Sequence, residues 1–491
     1  MANKKQWRHC AWLLLILVML SSFQLFKLKT QDPIYSFQDL SRIALSKQRD
    51  SIKKNWNCPK IFDKKETQKK YEEMWDSRKD FIVSSINDND YVYEKEVYDY
   101  ISGILTELVK ANKAKATQQF DLLLDRSSVV NAYAIGGNII AVNLGLIEFA
   151  ESKEELALIL AHELSHNILE HSETALRERA ELLTSDAYKN TLNSVLDSKY
   201  ERLTRLKKIL EGYTFSRSRH NRYKESEADS MAVQLLKKAN ISFNARYFLK
   251  LDSSDLEYQT PLKHPVGDYF RSYGLKFEDW WTTKKTKGLS SRNYNFKDTT
   301  KLQDSLKTHP DCIQRYEKTK ALSSATMTVT PIPKTIKTKV NKMILWNLFN
   351  NQNLTACLYR IMLVKDNNNS DAWYDFMFHN SVIGLYYSDK NLMRFNSINV
   401  VQKELVSKNY FELQTALEQM PTDDIKLLYE GLQKLDFWKS LNSDEKGLRD
   451  LFNSLANADY TDKSVRPKAS KNYVQQYPNS MYAEFAVQFS N

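Results

Sequence analysis

Apolar residues recur at helical spacing along most of the chain. From Tyr91 to Lys113, "YVYEKEVYDYISGILTELVKANK" places them on one helical face. The pattern then changes. "FDLLLDRSSVVNAYAIGGNIIAVNLGLIEF" holds β-branched and apolar runs broken at Gly136-Gly137-Asn138, which predicts a strand followed by a hairpin with a glycine turn. In "SKEE", Ser152 and Glu155 have the spacing of a capping box at a helix start. The helix they open, "LALILAHELSHNILEH", is apolar on every face in its first part and so belongs deep in a core. Residues 172–215 are highly charged and helical in pattern, and a further helix starts near Asn221 with "RYKESEADSMAVQLLKKA".

Residues 240–322 are mixed and contain two His-Pro pairs, at His264 and His309. "SSATMTVTPIPKTIKTKV", Ser323 to Val340, reads as a linker. Helix-length segments then run to the end, separated by polar breaks such as "KDNNNSD" and "MPTDD". The last piece resembles a fragment of a tetratricopeptide helix pair, without a clean 34-residue period. The expected fold is mainly α with a small β-sheet, followed by a C-terminal all-α domain. The expected division is 1–30 targeting segment, 31–85 helical segment, 86–322 domain carrying the chemistry, 323–340 linker and 341–491 helical domain.

The targeting segment has a basic head (Lys4, Lys5, Arg8) before an apolar run of 16 residues, Ala11 to Phe26. A cleaved signal peptide and an uncleaved anchor both fit, and either places the bulk of the chain outside the cytoplasm. The expected location is periplasmic or otherwise extracytoplasmic, with membrane contact through this segment alone. Among 491 residues, 42% are hydrophobic and 27% charged, a globular composition with material for two or three domains. Eleven glycines and ten prolines are too few for a turn-rich all-β fold. The net charge of +11 is spread along the chain, and no zinc-finger, RNP or helix-turn-helix signature accompanies it, so nucleic acid is not an expected partner. Cys10, Cys58, Cys312 and Cys357 lack C-x-x-C spacing and are expected to be unpaired thiols.

His162, Glu163 and His166 form H-E-x-x-H. Positions i and i+4 of a helix lie about 40° apart, so both imidazoles can reach one ion, with Glu163 beside them as a base. A catalytic zinc needs a third protein ligand. The metzincin pattern would put a glycine and a histidine where this chain has Leu169 and Ser172; His171 is one place off and is expected to point away. Thermolysin-like spacing leads to Ser185 and Asp186. Another candidate lies 59 residues after His166: in "RYKESEAD", Glu225 and Asp229 share one helical face. One carboxylate can bind zinc while the other orients a histidine.

H-E-x-x-H followed by E-x-E-A-D resembles peptidase family M48. The resemblance is continuous over "NAYAIGGNIIAVNLGLIEFAESKEELALILAHELSH", returns in "RYKESEAD" and again in "THPDCIQR", and spans about residues 90–320. It implies a zincin-like, gluzincin-type core holding one Zn2+ per chain on His162, His166 and Glu225. Glu163 would be the general base, Asp229 the partner of a ligand histidine, and Glu227 not a ligand. Asn131 and His309 would face the reacting carbonyl. His264 is the alternative to His309, whose surroundings, including Arg315, fit the family box better. The charged stretch 172–215 leaves no room for the membrane spans that some branches carry there, so the resemblance points to the soluble, exported branch. The implied activity is zinc-dependent endopeptidase action on unfolded or misassembled envelope proteins. The substrate would be bound as an added strand along Asn131 to Val142, and the C-terminal helical domain would be a platform for a protein partner. The alternative is a zinc-containing, chaperone-like binding protein acting through that helical domain; an intact Glu163 favours the enzyme.

Overall fold

The computed structural model describes residues 42–88, 90–196, 223–254, 258–283, 312–458, 462 and 464–490. The targeting segment 1–30 and His309 therefore lie outside the described residues. No described helix is long and apolar enough to cross a membrane.

Helices α1 (Arg42–Asn55) and α2 (Lys65–Asn87) lead into strand β1 (Tyr91–Val92) and helix α3 (Lys95–Ala111). Strands β2 (Asp121–Asp125), β3 (Ala132–Gly136) and β4 (Ile139–Asn143) follow, then α4 (Leu144–Phe149), α5 (Lys153–Ile168), α6 (His171–Thr184) and α7 (Asp186–Leu196). The sheet order is β1-β2-β4-β3; β2 and β4 are parallel, and the two outer pairings are antiparallel. The hairpin between β3 and β4 turns at Gly136-Gly137-Asn138, all three with positive φ (101°, 60° and 63°), as the glycine pair predicts.

The strands alternate between two cores. Leu122, Leu124, Ile140 and Val142 enter the larger one with α3 and α5. Leu123, Ile139 and Ala141 enter a smaller one, closed by Trp56, Tyr71 and Trp75 of the N-terminal segment and Leu176 and Ala180 of α6. This follows from the period-2 geometry of strands. It also explains why β4 reads as an unbroken apolar run, since both of its faces are covered. Residues 42–87 thus form the second cover of the sheet.

Position β4 corrects one expectation. Of the two hairpin strands only β3 lies at a sheet edge; β4 is interior, between β2 and β3. The expected docking edge from Asn131 to Val142 is therefore confined to its first half. The start of α5 also differs in detail. Ser152 Oγ accepts from Glu155 N (3.3 Å), but the Glu155 carboxylate reaches Glu151 N (3.2 Å), and Lys250 pairs with it at 2.7 Å.

Helix α8 runs over 223–238, and α9 (Arg246–Asp252) and α10 (Cys312–Thr319) follow it. The expected linker is corrected too. Thr330 O accepts from Lys153 N (2.8 Å) and Glu151 O from Ile332 N (3.2 Å), so the chain before Pro333 is tied to the start of α5. Residues 334–340 are helical, the first turns of α11 (Lys334–Asn350). Pro333 supplies a helix start, and Ile336 and Val340, four apart, are both buried. Helices α12 (Leu354–Asp366) and α13 (Ala372–Lys390) follow, and short helices continue to α19 (Ala483–Val487) by way of α14 (Arg394–Ile398), α15 (Lys408–Gln419), α16 (Thr422–Gln433), α17 (Ser443–Asn457) and α18 (Val465–Gln476).

The C-terminal helices share one continuous core with the sheet and α5. Two part-buried ionic contacts join them as well. Arg360 of α12 grips both oxygens of Glu148 in α4 (2.9 and 2.7 Å), and Arg126, just after β2, does the same to Glu484 in α19 (3.1 and 3.0 Å). Among the described residues, no disulfide joins Cys58, Cys312 and Cys357.

Gly145 permits the close approach of the segment before β3. A Cβ there would lie 2.0 Å from Ser128 O and 2.6 Å from Val129 O, both backbone atoms. Gly145→Ala is expected to lower stability by about 1–3 kcal/mol, read as a lower urea midpoint; an unchanged midpoint would contradict this packing.

Candidate metal centre

Helix α5 delivers both histidines inward from one face, as their i, i+4 spacing requires. His162 Nε2 and His166 Nε2 lie 3.1 Å apart. Helix α8 brings Glu225 to them: Oε2 is 3.2 Å from His162 Nε2, and Oε1 is 3.5 Å from His166 Nε2. Ligand bonds of 2.0–2.1 Å in a tetrahedron imply ligand atoms about 3.3 Å apart. The three separations bracket that value. Among the described residues, these three form the one cluster of His, Cys, Asp or Glu whose donor atoms meet closely enough for a metal. The residues present fit a zinc ion.

The remaining groups hold this arrangement. Asp229 Oδ1 lies 2.9 Å from His162 Nδ1. Arg315 of α10 clamps Asp229 through Nε (2.9 Å) and Nη2 (2.6 Å) while its guanidinium sits 4.3 Å over the Phe248 ring. The partner expected at Asp229 is therefore His162, and Arg315 fixes the carboxylate in turn. Glu163 is buried beside the cluster, and its Oε2 accepts from the backbone N–H of Ala134 in β3 (2.8 Å). Ser172 Oγ lies 3.5 Å from Ala134 O, and Arg78 donates to Ile135 O (3.1 Å). The edge strand is thus partly engaged by the protein's own side chains.

Asn131 sits immediately before β3, where its carbonyl accepts from Asn143 N (3.0 Å). His264 is exposed, with its ring edge-on to Tyr269 at a centroid distance of 6.4 Å. Its chain neighbour Lys263 donates its backbone N–H to Asp366 at the end of α12 (2.7 Å).

The expectation that His171 points away is wrong. Its Nδ1 lies 2.8 Å from His166 Nδ1, and its Nε2 lies 3.5 Å from Glu227 Oε2. A continuous helix would place residue i+5 about 140° around the axis. The helix does not continue: Glu170 adopts the left-handed region (φ 49°) and α6 begins afresh at His171. The sequence carries no glycine at that break to signal it.

The electrostatics follow from burial in a tight cluster. Burial opposes charge on His162, yet hydrogen bonds to Asp229 and Glu225 push it up to about 9. Burial and the neighbouring His162 charge pull His166 down to about 3. Burial works against ionised Glu225, but its bond to His162 outweighs this and brings it to about 2. Burial, reinforced by Glu225, raises Glu163 to about 7. A carboxyl poised near neutrality can take and return a proton at modest cost.

A small mixed sheet, an H-E-x-x-H helix beneath it and a glutamate from a second helix together form the arrangement that a metallopeptidase core requires. Residues 97–323 match the model of peptidase family M48. It is 27% identical over 184 residues to the putative beta-barrel assembly-enhancing protease of Vibrio cholerae serotype O1, covering 36% of this chain and 37% of that protein. It is 26% identical over 185 residues to the beta-barrel assembly-enhancing protease of Yersinia pestis, covering 36% and 38%. The matched stretch is thus little more than a third of the length of these curated relatives.

In the metal-free cluster His162 is protonated below about pH 9, whereas a ligand imidazole must be neutral. Zinc uptake at pH 7 is therefore expected to release about one proton, and affinity to rise with pH toward 9. Titration calorimetry in buffers of different ionisation enthalpy reads this directly; a heat independent of the buffer would contradict it.

Proposed function

We propose that the chain is a zinc-dependent metalloendopeptidase acting on unfolded or misassembled proteins of the cell envelope. The observation that carries this reading is the meeting of His162, His166 and Glu225 donor atoms within 3.1–3.5 Å of one another beside a buried carboxyl, Glu163. Zinc held by these three side chains supplies Lewis acidity, activating water and polarising the scissile carbonyl. Glu163 takes the proton from the attacking water and delivers it to the leaving amine, which its raised pKa suits. Asn131, at the head of the edge strand, and His309, by its family resemblance alone, are the groups assigned to the reacting carbonyl.

Strand β3 offers a backbone ladder to an extended polypeptide, a mode that tolerates many sequences. Such a substrate would compete with Glu163 for the Ala134 N–H. The envelope role draws support from the printed names of the two bacterial relatives and from the basic-then-apolar start of the chain. The C-terminal helices are the proposed platform for a protein partner.

Glu163→Gln keeps the shape of the side chain and removes the base. It is expected to retain zinc while casein cleavage falls by at least about 100-fold. Cleavage at the wild-type rate in this variant would remove Glu163 from the mechanism. Zinc without cleavage in either protein would favour the binding-protein reading.

A further inference from the structure

The two ligand histidines are supported differently. His162 meets a carboxylate directly, at Asp229. His166 meets a second imidazole, His171, which in turn faces Glu227. We propose that His171 and Glu227 form a positioning relay that holds His166 in its ligating tautomer and orientation; the proposal rests on the zinc-peptidase reading above.

The proton count dictates the direction of the relay. Two ring nitrogens 2.8 Å apart need one donor and one acceptor. His166 turns Nε2 toward His162 and Glu225, so that nitrogen must be free of hydrogen to bind a metal. Its proton then sits on Nδ1 and is donated to His171 Nδ1. That leaves the His171 proton on Nε2, directed at the Glu227 carboxylate 3.5 Å away. Each ligand histidine thereby ends on a carboxylate, one directly and one through an intervening ring, as outer partners of metal-bound imidazoles commonly do.

Three features of the chain serve this arrangement. The left-handed residue Glu170 ends α5 and turns His171 back toward His166; a non-glycine residue in that region is uncommon and marks a position fixed by its surroundings. The His166 and His171 rings then meet edge to face, 4.9 Å between centroids. A single stretch of α8, residues 225–229, supplies the metal-facing Glu225, the relay end Glu227 and the direct partner Asp229. Glu227, set aside as a non-ligand, thus acquires a role beside the metal ligands. Ordinary core packing would not require two imidazoles to share one proton beside a carboxylate.

Zinc affinity of the full chain, measured by competition with a chromogenic chelator, tests the relay, with the visible spectrum of the Co2+-loaded protein as a second readout. Wild type is expected to bind one zinc. His171→Ala should weaken zinc by about 10–100-fold and alter the Co2+ bands, while metal-free circular dichroism stays the same. His171→Asn, which keeps an acceptor for His166 Nδ1–H, should recover most of the loss. Glu227→Gln lies on a partly exposed side chain, which spares the fold; it should cost a few-fold alone and nothing further when combined with His171→Ala. Affinity within about twofold of wild type in His171→Ala, or equal losses from Glu227→Gln with and without His171, would overturn the relay while leaving the zinc reading intact. Absence of zinc binding in the wild type would overturn both.

Discussion

Two imidazole nitrogens face each other at 3.1 Å with a carboxylate closing the triangle, and the rest of the fold serves that contact. Neutral imidazoles cannot satisfy each other there once their other nitrogens are committed to Asp229 and His171; a proton or a metal ion must sit among them. The metal-free cluster places a proton on His162, where Asp229 and Glu225 stabilise it. A divalent cation meets the same demand with three ligands at once.

Holding such a contact requires rigid elements on every side. Helix α5 is buried along most of its length between α3 and the sheet, which fixes the histidine pair. Arg315 ties α10 to Asp229, and so to the metal-facing side of α8. The sheet is clamped from its far side by Trp56, Tyr71 and Trp75, and the C-terminal helices lock onto its flank through Arg126–Glu484 and Glu148–Arg360. Removing one partner of such a part-buried pair leaves the other charge poorly compensated. The segments on either side of the family-matched residues therefore support the sheet and helix that carry the chemistry.

Much of this is legible in the chain itself. H-E-x-x-H, E-x-E-A-D and the Gly-Gly-Asn turn are local signals, and each specifies its own geometry within a few residues. The mainly helical fold with one small sheet also follows from hydrophobic periodicity. What escapes depends on tertiary context. The return of His171 rests on a left-handed glutamate that no composition rule marks. The interior place of β4 is a matter of strand order, although the unbroken "IIAV" run is its trace. The helix beginning at Lys334 was hidden by prolines and threonines around it, although the four-residue spacing of Ile336 and Val340 betrays it. The segment that supplies Trp56, Tyr71 and Trp75 reads from sequence as a polar, charged helical stretch, and nothing in that pattern assigns its aromatics to the sheet's far face.

The proposed function requires one zinc ion held by two imidazoles and one carboxylate from two helices. X-ray absorption at the zinc edge of the purified full chain tests it most directly. About one zinc per chain is expected, with two imidazole nitrogens and one or two oxygens at about 2.0–2.1 Å. A sulfur scatterer, a single imidazole, or a chain that retains no zinc would contradict it.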